Sequence, residues 1–199
     1  MNLIIDVGNS KVKLAVFSKN RLIRKKTVEV NNTIYAIDFL LSKHKLINAA
    51  ILSSVGDFSR KDIKAISEKI NLLLLDYKVS LPFKNCYKTP KTLGVDRIAL
   101  VSAAIKNYPK DNVLIIDAGT CITYDFLSAS GEYLGGAISP GLNLRYKSLN
   151  TLTANLPLLM PKPPKKFIGN DTNTSIHSGV VNGILKEIDG TIEQYREKY

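Results

Sequence analysis

The sequence predicts an α/β protein built from two similar halves, each opening on a β-meander. Three observations predict it. The tetrapeptide Leu3-Ile4-Ile5-Asp6 returns intact as Leu114-Ile115-Ile116-Asp117, and glycine follows two positions later in each copy, at Gly8 and Gly119. After each copy come strand-sized apolar runs broken by turn residues. Between and beyond the copies, stretches with helical spacing alternate with such runs, as a layered α/β arrangement requires.

In the first half, residues 3–7 form an apolar run that ends at Gly8-Asn9-Ser10, a turn sequence. A partly alternating run over 12–17 follows, then a turn at Lys19-Asn20 and a third strand around 22–28. Residues 31–45 show helical spacing, with Ile34, Ile37, Leu40 and Leu41 on one face. Residues 49–53 read as a buried strand and 59–70 as a helix capped by Ser59; 72–75 make another strand. The order is β-β-β-α-β-α-β. The stretch 80–92 holds two prolines and reads as a loop, and 94–108 as a helix. The break at 109–112 sets the expected domain boundary, giving domains 1–110 and 111–199.

The second half repeats the opening from Leu114 to Thr120, followed by strand-sized segments over 121–127 and 133–138 around a turn at 128–131. A helix near 142–153, a proline-rich loop at 157–164 and a long helix over 174–199 complete it. The first half goes on to β-α-β after its first helix. The second has nothing equivalent before Tyr199, so this domain is expected to be truncated at its C-terminus.

Composition narrows the class. Apolar residues are 45% and charged residues 23% of the 199, the balance of an ordinary globular protein rather than a disordered one. No apolar run approaches the roughly 20 residues that span a bilayer, and Asp6 interrupts the first run at once, against a secretory leader. No membrane association and a cytoplasmic location are expected. Two cysteines and two histidines are too few and too scattered for a disulfide framework or a zinc site. The net charge of +11 permits a polyanion partner. The lysines are spread along the chain, however, with only Arg24–Lys26 and the cluster Lys162, Lys165 and Lys166 standing out. A solvated surface is expected, and no nucleic-acid partner.

Four segments carry candidate chemistry. An Asp-x-Gly turn between strands lets backbone approach a phosphate, because glycine tolerates φ > 0 and successive N–H groups form an anion-binding nest. Asn9 and Ser10 add side-chain donors and Lys13 a charge, while Asp6 is placed to hold a metal ion near a transferred phosphoryl group. A plain hairpin turn would use the same residues, so the duplication is what strengthens the reading. No Walker A pattern occurs. Gly94-Val95-Asp96-Arg97 opens a predicted helix. Asp96 there is either a favourable first-turn charge or a general base, with Arg97 to hold an anionic group. Gly135-Gly136-Ala137-Ile138-Ser139-Pro140-Gly141, with three glycines in seven residues, either ends a strand and starts a helix or suits close approach of a ligand or partner chain.

Together these segments resemble the type III pantothenate kinases, within the acetate kinase/sugar kinase/heat-shock ATPase superfamily. The resemblance also takes in Thr123, Thr153-Ala154-Asn155-Leu156-Pro157 and Ile168-Gly169-Asn170-Asp171-Thr172, and so covers almost the whole chain in order. It implies two tandem ribonuclease-H-like domains, a homodimer, and ATP-dependent phosphorylation of pantothenate, the first committed step to coenzyme A. Carried over residue by residue, it implies that Asp6, Val7, Gly8, Asn9, Ser10, Lys11, Val12 and Lys13 form the ATP phosphate loop, with Thr120 touching ATP from the second loop. It implies Asp96 as general base, with Tyr87, Gly94, Val95, Asp96, Arg97 and Thr172 binding pantothenate, Thr172 from the partner subunit. Asp117 is implied to bind a monovalent cation, potassium or ammonium, and ATP to come with magnesium, for which Asp6 is a candidate ligand. Ser10 stands where the family often has Thr, which keeps the hydroxyl, and a glycine-rich C-terminal segment of the family has no counterpart in the sequence.

The rival is a non-catalytic homologue on the same fold, a transcriptional accessory or nucleic-acid-binding protein. A third reading is a kinase for another hydroxylated acceptor. The presence of Asp6, Asp96, Arg97 and Asp117 together favours an enzyme, because a binding protein has no use for a base beside a phosphate loop.

Overall fold

The computed structural model describes residues 1–8, 11–54 and 58–199. They form two compact units, Met1–Leu81 with Lys88–Leu100, and Pro82–Tyr87 with Val101–Tyr199.

The first unit follows the predicted order: β1 (Asn2–Val7), β2 (Lys11–Ser18), β3 (Arg21–Glu29), α1 (Thr33–Lys43), β4 (Ala49–Ser54), α2 (Arg60–Ser67) and β5 (Asn71–Leu74). Its five-stranded sheet runs β3-β2-β1-β4-β5. The meander pairs are antiparallel, whereas β1–β4 and β4–β5 are parallel, each joined through a helix. This is the ribonuclease-H-like strand order. One face of the sheet, carrying Leu3, Ile5, Val7, Val12, Leu14, Val16, Ala50 and Leu52, packs with Ala36, Ile37 and Leu40 of α1 and Ile66 of α2. Strict alternation along β1 and β2 produces that face, since successive side chains of a strand point to opposite sides. Ser59 caps α2 by accepting the Asp62 backbone N–H at 3.0 Å. At the sheet's other margin, β3 holds the basic run Arg24–Lys26 on an edge strand, and the Arg24 and Lys26 charges lie 5.9 and 5.3 Å from the Phe39 ring centre.

The second unit contains β7 (Val113–Ala118), β8 (Cys121–Leu127), β9 (Glu132–Pro140), α4 (Leu142–Thr151) and α5 (Thr172–Lys198). It also holds β6 (Lys84–Asn85), a short strand inside the stretch predicted to be a loop. β6 pairs in parallel with β9 at Lys84↔Glu132, reinforced by a Lys84–Glu132 ion pair, so the sheet runs β6-β9-β8-β7. Two residues between prolines give no periodic signal, and pairing with a distant strand is what makes them a strand. The helix α3 (Val95–Asn107) begins within the first unit's share of the chain.

The long helix α5 starts two residues earlier than its hydrophobic spacing predicts. Asp171 is its N-cap: it accepts the Thr174 N–H at 2.8 Å, and the Thr174 hydroxyl bonds back to the Asp171 N–H. α5 packs on α4 through Ile176, Val180 and Tyr146, and its C-terminal end sets the Tyr195 ring at a tilt to Phe126 of β8 and stacks the C-cap Tyr199 on it. Among the described residues, no helix is long and apolar enough to cross a membrane.

Candidate phosphate loops and acceptor site

The first loop is tied at its base. β1 and β2 pair through Val7↔Val12, and the Gly8 N–H donates to the Lys11 carbonyl at 3.0 Å. Val7 and Val12 are buried in the core, so any contact they make with a ligand is through backbone. Asp6 leaves the core face and is bound on both carboxylate oxygens: the Ser53 hydroxyl donates to Oδ1 at 3.0 Å, and the Lys13 ammonium lies 3.7 Å from Oδ2. Ser53 is the register partner of Asp6 on the parallel strand β4. Asn9 and Ser10, expected in the same loop, lie outside the described residues.

The second loop is one residue shorter. Four residues separate the paired Val7 and Val12, but three separate Ala118 and Ile122. Its Gly119 N–H donates to the Cys121 carbonyl at 2.9 Å. The Thr120 carbonyl accepts the Gly141 N–H at 3.0 Å. A Cβ at Gly141 would stand 2.2 Å from the Gly119 oxygen and 2.5 Å from the Thr120 oxygen, so only glycine permits this approach. Asp117 is exposed at the end of β7, directly across from Thr123 on β8. Opposed residues of an antiparallel pair share a face. The Thr123 Oγ1 is buried and has no hydrogen-bond partner among the described residues.

Gly94-Val95-Asp96-Arg97 opens α3 as predicted, with Asp96 in the first turn. The Asp96 Oδ1 accepts the Arg97 N–H at 2.8 Å, and a Cβ at Gly94 would meet that same oxygen at 2.5 Å. Arg97 is buried, 5% exposed, an unusual place for a guanidinium. Tyr87 receives its orientation locally: its N–H donates to Asn85 Oδ1 at 3.0 Å, and its ring stacks on Tyr133 with centres 6.2 Å apart. The same ring lies over Gly135, which has φ of +101° and would place a Cβ 3.3 Å from Tyr87 Cδ2. Thr172 is the first residue of α5, exposed beside the Asp171 cap. The Thr174 backbone N–H at that cap holds the Asp171 carboxyl below its usual range.

Asp6, Lys11, Lys13 and Gly94–Arg97 thus lie in the first unit, and Tyr87, Asp117, Thr120 and Thr172 in the second. Two supports gave no sequence signal, because each acts across many residues: Ser53 on Asp6, and a polar network at Arg145; Gly141, which supports Thr120, stood out in the sequence only as the end of a glycine-rich stretch. The Arg145 guanidinium bonds the Pro140 carbonyl and the Ser139 hydroxyl, each at 2.8 Å, and forms an ion pair with Glu187 of α5. The buried Tyr124 hydroxyl donates to the other Glu187 oxygen at 2.8 Å. Burial pushes the Glu187 carboxyl up, but hydrogen bonds from Arg145, Ser139 and Tyr124 outweigh it and leave it below its usual value. Burial, with Glu187 second, pushes the Tyr124 phenol up to about 12.

The family model for type III pantothenate kinases matches residues 2–194. The type III pantothenate kinase of Christiangramia forsetii is 52% identical over 199 residues, covering 100% of this chain and 82% of that one. That of Flavobacterium johnsoniae is 44% identical with the same coverage. Among solved structures, a conserved Baf family transcriptional activator from Campylobacter jejuni matches with a TM-score of 0.55 over 94% of this chain and 78% of that one. At 21% identity that likeness concerns the fold alone. Fold and match together define a kinase on a duplicated ribonuclease-H-like scaffold. The chain belongs to the type III pantothenate kinase family.

Proposed function

We propose that the protein phosphorylates pantothenate with ATP, giving 4′-phosphopantothenate, the first step of coenzyme A biosynthesis. The full-length match to the kinase family is the observation that carries this reading. The Campylobacter structure does not favour the transcriptional rival, because its likeness extends only to fold.

In the proposed reaction, the primary hydroxyl of pantothenate attacks the γ-phosphorus of ATP. The new O–P bond forms as the bond to the β-phosphate oxygen breaks, ADP leaves, and Asp96 takes the hydroxyl proton. The first loop, Asp6 to Lys13, meets the phosphates through backbone N–H groups and the Lys13 charge, and Thr120 meets ATP from the second loop. Tyr87, Gly94, Val95, Arg97 and Thr172 hold pantothenate, with Arg97 suited to its carboxylate. Asp6 offers the single carboxylate that magnesium uses beside phosphate and water ligands. Asp117 and the buried, unpartnered Thr123 hydroxyl on the same sheet face supply the oxygen donors that suit potassium or ammonium. Magnesium would neutralise charge on the phosphates.

The same reading includes a cytoplasmic homodimer whose partner supplies Thr172. Leu152, Met160 and Ile168, at 82%, 84% and 78% exposed, support it, since monomers seldom leave so many large apolar side chains in one segment in water. The duplicated halves are proposed to run 1–110 and 111–199, on the strength of the two matching meanders.

A coupled assay of ADP release with ATP and pantothenate tests the reaction. ADP formation that requires pantothenate is expected, and none at any pantothenate concentration overturns the proposal. The Asp96→Asn variant is expected to fold and to lose turnover by about 100-fold or more. Near-normal turnover would remove Asp96 as the base.

A further inference from the structure

Arg145, Glu187 and Tyr124 lie outside every segment to which a role has been given, yet they reach the second phosphate loop by an unbroken chain of contacts. Glu187, itself held by the Tyr124 hydroxyl, fixes the Arg145 guanidinium. Arg145 fixes Ser139 and Pro140, the last residues of β9. The next residue, Gly141, donates its N–H to the Thr120 carbonyl, and the backbones there approach so closely that no side chain fits between them. A shift of Pro140 therefore moves Thr120. The Arg145 and Glu187 side chains are 22% and 29% exposed, so this ion pair is shielded from water more than the Lys13–Asp6 pair, at 63% and 40%. Arg145 also binds through a planar fork, Nε to one acceptor and Nη2 to others, which fixes direction as well as distance.

We infer that Arg145 is a positioning residue for the second phosphate loop: locked by Glu187, itself held by Tyr124, it holds Ser139–Gly141 so that Gly141 sets the place of Thr120. The inference rests on the proposed contact of Thr120 with ATP. Arg145 touches no substrate in this account. Its effect falls on ATP and leaves pantothenate alone, although Thr172 lines the same groove between α4 and α5 as Arg145 does.

The test is steady-state kinetics of the full chain with each substrate varied. Arg145→Met keeps the apolar stem and removes the fork. It is expected to raise KM for ATP about tenfold, as a small misplacement of a contacting group does, with KM for pantothenate within about twofold. Arg145→Lys keeps the charge but not the fork and is expected to recover only part of the loss. No change in KM for ATP, an equal rise in both constants, or a rise for pantothenate alone overturns the inference. Should Arg145→Met fail to fold in a thermal melt, Ser139→Ala removes one contact of the fork and is expected to raise KM for ATP about threefold. An unchanged value overturns the inference again. Thr120→Ala separates the two claims. If it weakens ATP while Arg145→Met does not, the positioning role alone falls. If Thr120→Ala leaves ATP untouched, the Thr120 reading falls and takes the inference with it.

Discussion

β1 and β7 carry the same four residues, Leu-Ile-Ile-Asp, and meet different fates. Leu3 and Ile5 are 0% exposed, whereas Leu114 and Ile116 are only partly buried. Both strands pair with the next strand of their meander. β1 also pairs on its other side with β4, and α1 and α2 close over its core face. Among the described residues, β7 ends its sheet and shares a groove with Ile192, Tyr195 and Tyr199 of the α5 end. Local sequence decides strand and turn, and neighbours decide burial. The loops diverge in parallel: the Asp6 loop is four residues long and leans on a surface lysine, whereas the Thr120 loop is three residues long and is held by Gly141.

Breaking the two strands should give the largest effects. Ile5→Ala is expected to cost about 2–5 kcal/mol in urea unfolding, the range for a truncated core side chain. Ile116→Ala, at a partly open site, should cost roughly half of that or less. Equal losses would mean that β7 is as well covered as β1. The loop carboxylates come next. Asp6→Asn should lower kcat/KM for ATP on the order of 100-fold, as loss of a charge aimed at the transferred group does. Asp117→Asn should instead bring the potassium rate down to the sodium rate. A variant that keeps its preference for potassium or ammonium would strip Asp117 of its cation.

The smallest effect is one of pH, and it belongs to the second unit. Glu187 lies below its ordinary 4.5 when folded, so its contribution is present above that value and is lost as pH falls through the folded one. Tyr124 is raised from 10.0 to about 12, so its contribution is full below 10.0 and is lost as pH rises towards about 12. Tyr124→Phe should flatten the alkaline limb by on the order of 1 kcal/mol in denaturant melts between pH 9 and 12. An alkaline limb as steep as that of the unaltered protein would exclude Tyr124 as its source.

The meanders were legible because turn residues interrupt the apolar runs where the strands end, as Lys19-Asn20 and Ser128–Gly131 do. α3 was legible with Asp96 in its first turn, since Gly94 marks its start. β6 was not, because its strand character comes wholly from β9, nearly fifty residues on. The start of α5 was misplaced because its cap is an Asp-x-x-Thr pair outside the apolar periodicity. At the candidate site, sequence supplied the residues that would face ligands and the glycine-rich stretch ending at Gly141, but not what Gly141 supports, and neither Ser53 nor Arg145. Ser53, Gly141 and Arg145 act through register and helix packing, which link positions with no local pattern in common.

The basic run on β3 bears on how the protein behaves in a crowd. An edge strand presents a row of backbone donors and acceptors to any extended chain that drifts past, and lysine and arginine there discourage such annexation. Arg24, Lys25 and Lys26 give two copies meeting edge to edge the same sign of charge, so part of the +11 acts as a guard against intermolecular β-pairing rather than as bait for a polyanion. That guard is electrostatic, and salt erodes it: at 1 M the screening length is about 3 Å, shorter than the gap between paired strands. Concentrated salt should therefore be where this protein loses colloidal stability first.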